Sequence, residues 1–325
     1  MRIRVLRGEE VRRGLPMNVC IDAMRGAFAQ LAAHQVEVPL RTRLTTPDGV
    51  TLFMPAYLKQ NPALGQKIVS IYEGNAQKGL PTISALVIML DPVTGLPAAL
   101  IDGTSLTALR TGAASGLATD LLARPESAVL TVFGAGAQAP DQVEAVLAVR
   151  PIREVRILSR TGVSARRLAE RVAAAHPEIT VRAVQDPVAA VRDADVICTA
   201  TPARQPLFPA DAVRPGTHIN AIGSFTPEMC ELPPELLADA LVVVDQREAA
   251  WAEAGELIQA QQAGLLRPDE VVELGDIVLG RHKGRANPVQ ITVFKSVGLA
   301  IQDVAAAVRL LARAEREGLG TLVEL

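Results

Sequence analysis

The stretch Val129-Leu130-Thr131-Val132-Phe133-Gly134-Ala135-Gly136-Ala137-Gln138-Ala139 decides the fold. An apolar strand runs into a Gly-x-Gly-x-x-Ala turn, and Pro140 then falls in the first turn of a helix, where its missing N–H costs little. In a strand–turn–helix context these small residues have separate tasks. Gly134 permits the tight turn, Gly136 lacks the Cβ that would keep a pyrophosphate from the backbone, and Ala139 lets helix and strand pack closely. Free N–H groups and the dipole of the helix start favour the phosphate charge. The ligand expected here is a dinucleotide.

Beyond this turn, strands expected at 128–133, 155–158, 196–199, 219–222 and 241–244 alternate with helical segments, and a last strand is expected at 290–294. Such alternation implies parallel βαβ units, so the fold class is α/β, with a doubly wound Rossmann domain over residues 120–295. The second strand ends Leu158-Ser159-Arg160-Thr161. A carboxylate there would accept from a ribose 2′-hydroxyl; Ser159 and Arg160 suit a 2′-phosphate, so NADP is expected in preference to NAD. Asp195 and Asp245 border strands and read as helix caps or solvated loop residues rather than cofactor ligands.

Before the turn the pattern differs. Met17, Ile21, Met24, Phe28 and Leu31 form one helical stripe, read as core packing rather than as a dimer face. Short β-like runs follow at 38–43, 51–57, 67–72, 83–90 and 98–102, separated by turn chemistry such as Pro47-Asp48-Gly49 and Asp91-Pro92-Val93-Thr94-Gly95. They predict a smaller α+β domain with a mostly antiparallel sheet, spanning residues 1–119. A helix carrying Leu106, Leu109, Ala113, Leu117 and Leu121 on one side links it to the Rossmann domain, and a final helix at 295–313 is expected to return to it, making it discontinuous with 296–325. Arg41, Arg43, Lys67, Thr82 and the pair Arg110-Thr111 fall at expected strand or helix ends; converging cations suit an anionic carboxylate, which arginine can hold in bidentate fashion.

Composition bounds the alternatives. A formal charge of −2 with no Lys/Arg run argues against a nucleic-acid partner. No apolar stretch approaches the roughly 20 residues of a membrane helix, and charges interrupt the apolar residues that follow Met1, so a cytoplasmic protein without a signal peptide is expected. Three dispersed cysteines suit a reducing compartment, and neither they nor the four scattered histidines make a metal site.

Taken together, Val38-Pro39-Leu40-Arg41, Met54-Pro55-Ala56-Tyr57, the run from Lys67 to Tyr72, Leu106 to Thr111, the glycine turn, Ile219 to Ser224, Glu273-Leu274-Gly275-Asp276 and Thr292 to Gly298 resemble the ornithine cyclodeaminase and mu-crystallin family over nearly the whole chain. The resemblance implies a homodimer whose first domain supplies the interface and half of the active-site cleft. It implies that Arg41, in preference to Arg43, joins Lys67 and Arg110 in holding a substrate carboxylate, with Val297 lining the pocket. Thr82, Arg110, Thr111, Gly134, Gly136, Ala137, Gln138, Ser159, Arg160, Thr199, Ile222, Gly223 and Ser296 are the expected cofactor residues, from the resemblance and from the turn chemistry above.

Departures choose the reaction. Cyclodeaminases carry an acid where this chain has Phe225, and another where it has Leu52, so nothing obvious binds a second amine or moves its proton. The chain resembles the mu-crystallin-like branch more closely, which implies NAD(P)H-dependent reduction of a cyclic imino acid, with Lys67 as proton donor or as carboxylate partner. An alanine-dehydrogenase-like amino-acid dehydrogenase, a cyclodeaminase of unfamiliar arrangement and a non-catalytic binder of NADP or a small ligand are the competing expectations.

Overall fold

The computed structural model describes residues 2–324. Strand β1 (Arg2–Leu6) and helices α1 (Gly8–Gly14) and α2 (Met17–Ala32) precede the strands β2 (Val36–Glu37), β3 (Thr42–Thr46), β4 (Gly49–Leu58), β5 (Ala63–Ile71), β6 (Ile83–Leu90) and β7 (Pro97–Asp102). Helix α3 (Gly103–Leu122) leads into β8 (Val129–Phe133), α4 (Ala139–Leu147), β9 (Glu154–Leu158), α5 (Val163–Ala175), β10 (Thr180–Ala183), α6 (Pro187–Arg192), β11 (Val196–Thr199) and β12 (His218–Ala221). Next come α7 (Pro234–Ala238), β13 (Leu241–Val244), α8 (Arg247–Glu253), α9 (Gly255–Gln262), β14 (Val272–Glu273), α10 (Leu274–Val278), β15 (Thr292–Lys295), α11 (Ala300–Glu317) and β16 (Thr321–Glu324). The chain divides into two units, one comprising Met1–Arg110 and Gly298–Leu325, the other Thr111–Val297, with the division inside α3. No helix among the described residues is long and apolar enough to cross a membrane.

In the first unit the sheet order is β16-β1-β7-β6-β5-β4-β2, with β3 also paired to β4. Every pairing is antiparallel except β1 beside β7. Period-two alternation gives this sheet one dry face. Met54, Ala56, Ala63, Lys67, Val87, Met89, Ala99 and Ile101 are buried, and α11 packs on β4, β5 and β6 while also meeting α2. Ile21, Met24, Phe28 and Leu31 of α2 are core residues, as the stripe predicted.

Several expected boundaries move. Residues 38–41 lie outside any strand, and the strand expected at 38–43 begins at Thr42 instead, because the two-residue turn at Pro47-Asp48 fixes the register Thr46↔Gly49 and Thr42↔Phe53. Strands β1 and β16 were not anticipated. The last helix starts at Ala300, not at 295, because Lys295 still pairs in β15 and Gly298 adopts φ +81°. Lys67 lies in the middle of β5 and Arg110 in the middle of α3, not at element ends. Helix α3 has no single apolar side: residues 108–119 are buried all round.

The second unit is built on an eight-stranded sheet, β10-β9-β8-β11-β12-β15-β13-β14, parallel throughout. Strand order reverses between β8 and β11, the switch point at which open parallel sheets bind ligands. Strands β10 and β14 are additions to the expected set. Asp195 and Asp245 are buried, not solvated. Asp195 accepts from the amides of Ala128 and Val129 and pairs with Arg124 and Arg214. Asp245 accepts from Ser296 Oγ and the Val297 amide at 3.0 and 2.9 Å, anchoring the chain as it leaves β15.

Where α3 passes α4, a Cβ on Gly112 would lie 2.4 Å from the carbonyl oxygen of Asp141. Replacing a helical glycine by alanine ordinarily stabilises by about 0.5–1 kcal/mol. Here Gly112→Ala is expected to destabilise by about 1–3 kcal/mol through overpacking against backbone, read as a lower midpoint in denaturant unfolding; a raised midpoint contradicts this packing.

Candidate active site

Two separate constellations carry the chemistry, one in each unit. In the first, alternation along β5 puts Lys67 on the dry face of the sheet, in register with Met54 and Val87. Helix α11 brings the first-turn residues Gln302 and Asp303 to it. Lys67 Nζ lies 2.8 Å from Asp303 Oδ2, and Arg110 Nε lies 2.9 Å from Asp303 Oδ1. Arg110 Nη1 also donates to Gln302 Oε1 at 2.6 Å, and that oxygen accepts from the Leu299 amide, closing the start of α11. Arg41 Nη2 donates to the carbonyl of Gly298 at 2.6 Å. Gly298 leaves space for this arrangement, since a Cβ there would sit 2.8 Å from Arg110 Nη1.

The electrostatics are lopsided. Two cations, Lys67 and Arg110, share one carboxylate, all three are buried, and Arg41 adds positive charge near Lys67. Burial lowers Lys67 from its ordinary 10.5 to about 7; Arg110 and Arg41 push the same way, and Asp303 opposes them. Burial alone would raise the Asp303 carboxyl, but Arg110 and Lys67 override it and hold it below the usual carboxylate range. Its place in the first turn of α11 adds the favourable end of the helix dipole. Gln302 keeps a buried Nε2 without a partner among the described residues, a donor that a bound oxygen would satisfy.

Of the residues expected at the carboxylate end, the structure thus gathers Arg41, Lys67 and Arg110. Arg43 lies exposed in β3, opposite Leu52. Thr82 is exposed in the link before β6, its carbonyl accepting from the Tyr72 amide. Asp303 and Gln302 were not anticipated. An acid within the Ala300-Ile301-Val304-Ala307 stripe was the available signal, because a charge on the apolar side of a helix needs a buried partner.

The second constellation follows β8. Gly134 has φ +103°, and a Cβ on it would fall 2.3 Å from the Ala200 carbonyl oxygen, so only glycine fits. A Cβ on Gly136 would meet nothing within 4 Å, leaving the open approach that a phosphate needs. Gln138 precedes α4 with a buried, unpartnered Oε1, while Ala139 is fully buried against the sheet. These features fit a dinucleotide phosphate group. Ser159 Oγ accepts from the Ala165 amide at the start of α5, and Arg160 is exposed, with no partner among the described residues. Thr111 is buried in α3, and Ala137 is exposed in the glycine turn.

Thr199, Ile222, Gly223 and Ser296 stand just at or after the carboxyl ends of β11, β12 and β15. Thr199 Oγ1 donates to Glu231, and Ser296 Oγ donates to Asp245. Val297 is buried beside Ser296. Lys295 is fully buried, donating to the carbonyl of Ser224 at 2.6 Å and pairing with Glu256 at 3.1 Å. Glu231, Glu256 and Lys295 carried no sequence signal that separates them from surface charges.

A doubly wound parallel sheet with such a turn at its switch point is the architecture of dinucleotide-binding proteins. The chain belongs to the ornithine cyclodeaminase/mu-crystallin family, whose sequence profile matches residues 2–318. It is 38% identical to a Delta(1)-pyrroline-2-carboxylate reductase of Bacillus cereus, covering 98% of this chain and 99% of that one. Identity to the ketimine reductase mu-crystallin of Mus musculus is 39%, over 88% of each chain. Among solved structures, the Delta(1)-pyrroline-2-carboxylate reductase of Thermococcus litoralis in complex with NADH and L-proline superposes with a TM-score of 0.94, at 37% identity over 98% of this chain and 99% of that one. An archaeal alanine dehydrogenase dimer with bound NAD gives 0.93, at 36% identity over all of both chains.

Removing the central carboxylate leaves Lys67 and Arg110 as buried cations without a counter-charge. Asp303→Ala is expected to cost about 3–5 kcal/mol in denaturant unfolding, the cost of breaking one side of a buried ion pair. A loss below about 1 kcal/mol, the scale of an exposed pair, contradicts the buried network.

Proposed function

We propose that this protein reduces a cyclic imino acid of the 1-pyrroline-2-carboxylate or 1-piperideine-2-carboxylate type to the cyclic amino acid, with NADPH preferred to NADH. The observation that carries this reading is the buried excess of positive charge around Asp303, in a chain whose relatives include reductases of such substrates. An anionic carboxylate supplies the charge that the cluster lacks. Arg41, Lys67 and Arg110 bind it, and because Asp303 and Gln302 hold Arg110 through Nε and Nη1, its Nη2 is the nitrogen turned to substrate.

Gly134, Gly136, Ala137 and Gln138 hold the dinucleotide phosphates, Arg160 with Ser159 meets the 2′-phosphate, and Thr82, Arg110, Thr111, Thr199, Ile222, Gly223 and Ser296 complete the cofactor set. When bound, the nicotinamide supplies the hydride that the imine carbon accepts. The imine nitrogen must gain one proton, and Lys67, held at about 7, gives up a proton at neutral pH and takes another from solvent. Val297 shapes the substrate side. Phe225 is half-buried and Leu52 buried, apolar where a cyclodeaminase carries acids, which disfavours release of ammonia from a diamino acid.

The outer face of the first unit's sheet supports a homodimer. Phe53, Pro55, Tyr57, Leu64, Ile68, Ile88 and Leu100 alternate with the buried positions, and Leu86 on the same face is exposed. An apolar sheet face of this kind is covered in solution, and the alanine dehydrogenase above is a dimer. Sedimentation should return twice the 34.4 kDa of one chain; the mass of a single chain contradicts the dimer.

The reaction is tested by following NADPH and NADH oxidation with the two cyclic imines and, separately, with pyruvate plus ammonia. Turnover is expected with the imines, and faster turnover with pyruvate and ammonia would favour an amino-acid dehydrogenase. The imine rate should fall as pH rises through about 7, because only protonated Lys67 can donate. Lys67→Ala is expected to lose about 10²–10⁴ in kcat; full retention removes the proton-donor role. Arg160→Asp is expected to weaken NADPH about tenfold to a hundredfold with little change for NADH.

A further inference from the structure

Glu231 lies in the segment between β12 and α7, outside every strand and helix, yet it is fully buried. Its two carboxylate oxygens accept four hydrogen bonds. Oε2 takes the hydroxyl of Thr199 and the amide of Gly223, both at 2.8 Å. Oε1 takes the amide of Thr201 at 2.7 Å and its hydroxyl at 2.8 Å. The donors come from only two places, the chain leaving β11 and the chain leaving β12. Gly223 is wedged into the same spot: a Cβ would lie 2.3 Å from the Thr201 carbonyl oxygen and 2.5 Å from Glu231 Oε1.

Burial pushes the Glu231 carboxyl up, Lys295 and Thr201 pull it down, and Glu256 adds to the rise. Lys295 is itself committed to Ser224 and Glu256, so it is the four donors that hold Glu231 in place. A buried acid is costly unless fully bonded, and an apolar side chain would fill the space at lower cost. What the acid adds is a fixed spacing between two strand ends. These belong to the half of the sheet beyond the switch point. The glycine turn after β8 and Arg160 after β9 mark the opposite half as the adenosine side, which leaves β11 and β12 with the nicotinamide.

We infer that Glu231 is a positioning residue for the nicotinamide end of the dinucleotide site, acting through Thr199, Thr201 and Gly223. The inference rests on the dinucleotide reading above. Its test is binding, not turnover: calorimetric titration of the whole protein with NADH and with ADP-ribose, which lacks the nicotinamide ring. Glu231→Gln keeps the shape but offers one acceptor oxygen and two N–H donors to four donors, so the strand ends separate. It is expected to weaken NADH about tenfold while ADP-ribose stays within about twofold.

Thr201→Val removes one donor to the carboxylate and the acceptor of the Ala203 amide, leaves the carboxylate bonded by three donors, and is expected to give an NADH-selective loss of about threefold in a protein that still folds. It decides the matter if Glu231→Gln does not fold. Equal weakening of both ligands, or no change in either, overturns the positioning role. Failure of the unaltered protein to bind either ligand sinks the dinucleotide reading itself, and this inference with it.

Discussion

The interaction on which the first unit depends is the bridge that Asp303 makes to Lys67 and Arg110. Lysine on the dry face of a sheet is a contradiction that only a partner resolves. The partner comes from the far end of the chain, in the first turn of α11, so the carboxy-terminal segment belongs to the same unit as the amino-terminal strands. Gln302, Gly298 and Arg41 then follow as consequences: Gln302 steadies Arg110, Gly298 makes room for it, and the Gly298 carbonyl takes Arg41. One buried carboxylate thus serves two buried cations. Burial lowers Lys67 first, and the neighbouring Arg110 and Arg41 add to it.

The second unit is organised differently, around backbone instead of side chains. Gly134 and Gly136 put no side chain into the turn after β8, and buried acids tie strand ends together. Asp245 fixes the chain after β15, and Glu231 fixes the chains after β11 and β12. The acids themselves face inward; what they offer a ligand is the position of the backbone they hold.

Much of this was legible because the relevant residues break a local pattern. Two glycines after an apolar strand, strands separated by helices, and the hairpin at Pro47-Asp48 each admit few conformations, so the glycine turn and both sheets could be read directly. The parts that escaped depend on long-range pairing. Strands β1 and β16 are short and meet each other across the whole chain, with Arg2↔Glu324 in register, and nothing local marks them. Asp195, Asp245, Asp303 and Glu231 look like surface acids until the amides and cations that surround them are assembled from distant segments. Lys67 stands out in the sequence as a cation at an expected strand end and again through the resemblance, and its place in the middle of β5 shows why position along a strand says less than which face it occupies.

Everything in the first unit turns on Lys67 as a buried lysine lowered to about 7. It is read most directly by NMR titration of the protein labelled at lysine Cε, with Lys67→Arg assigning the resonance. A midpoint near 7 is expected, moving lower in Asp303→Asn, where the carboxylate that favours the charged form is gone. A midpoint near the ordinary 10.5, unchanged by that substitution, would contradict it.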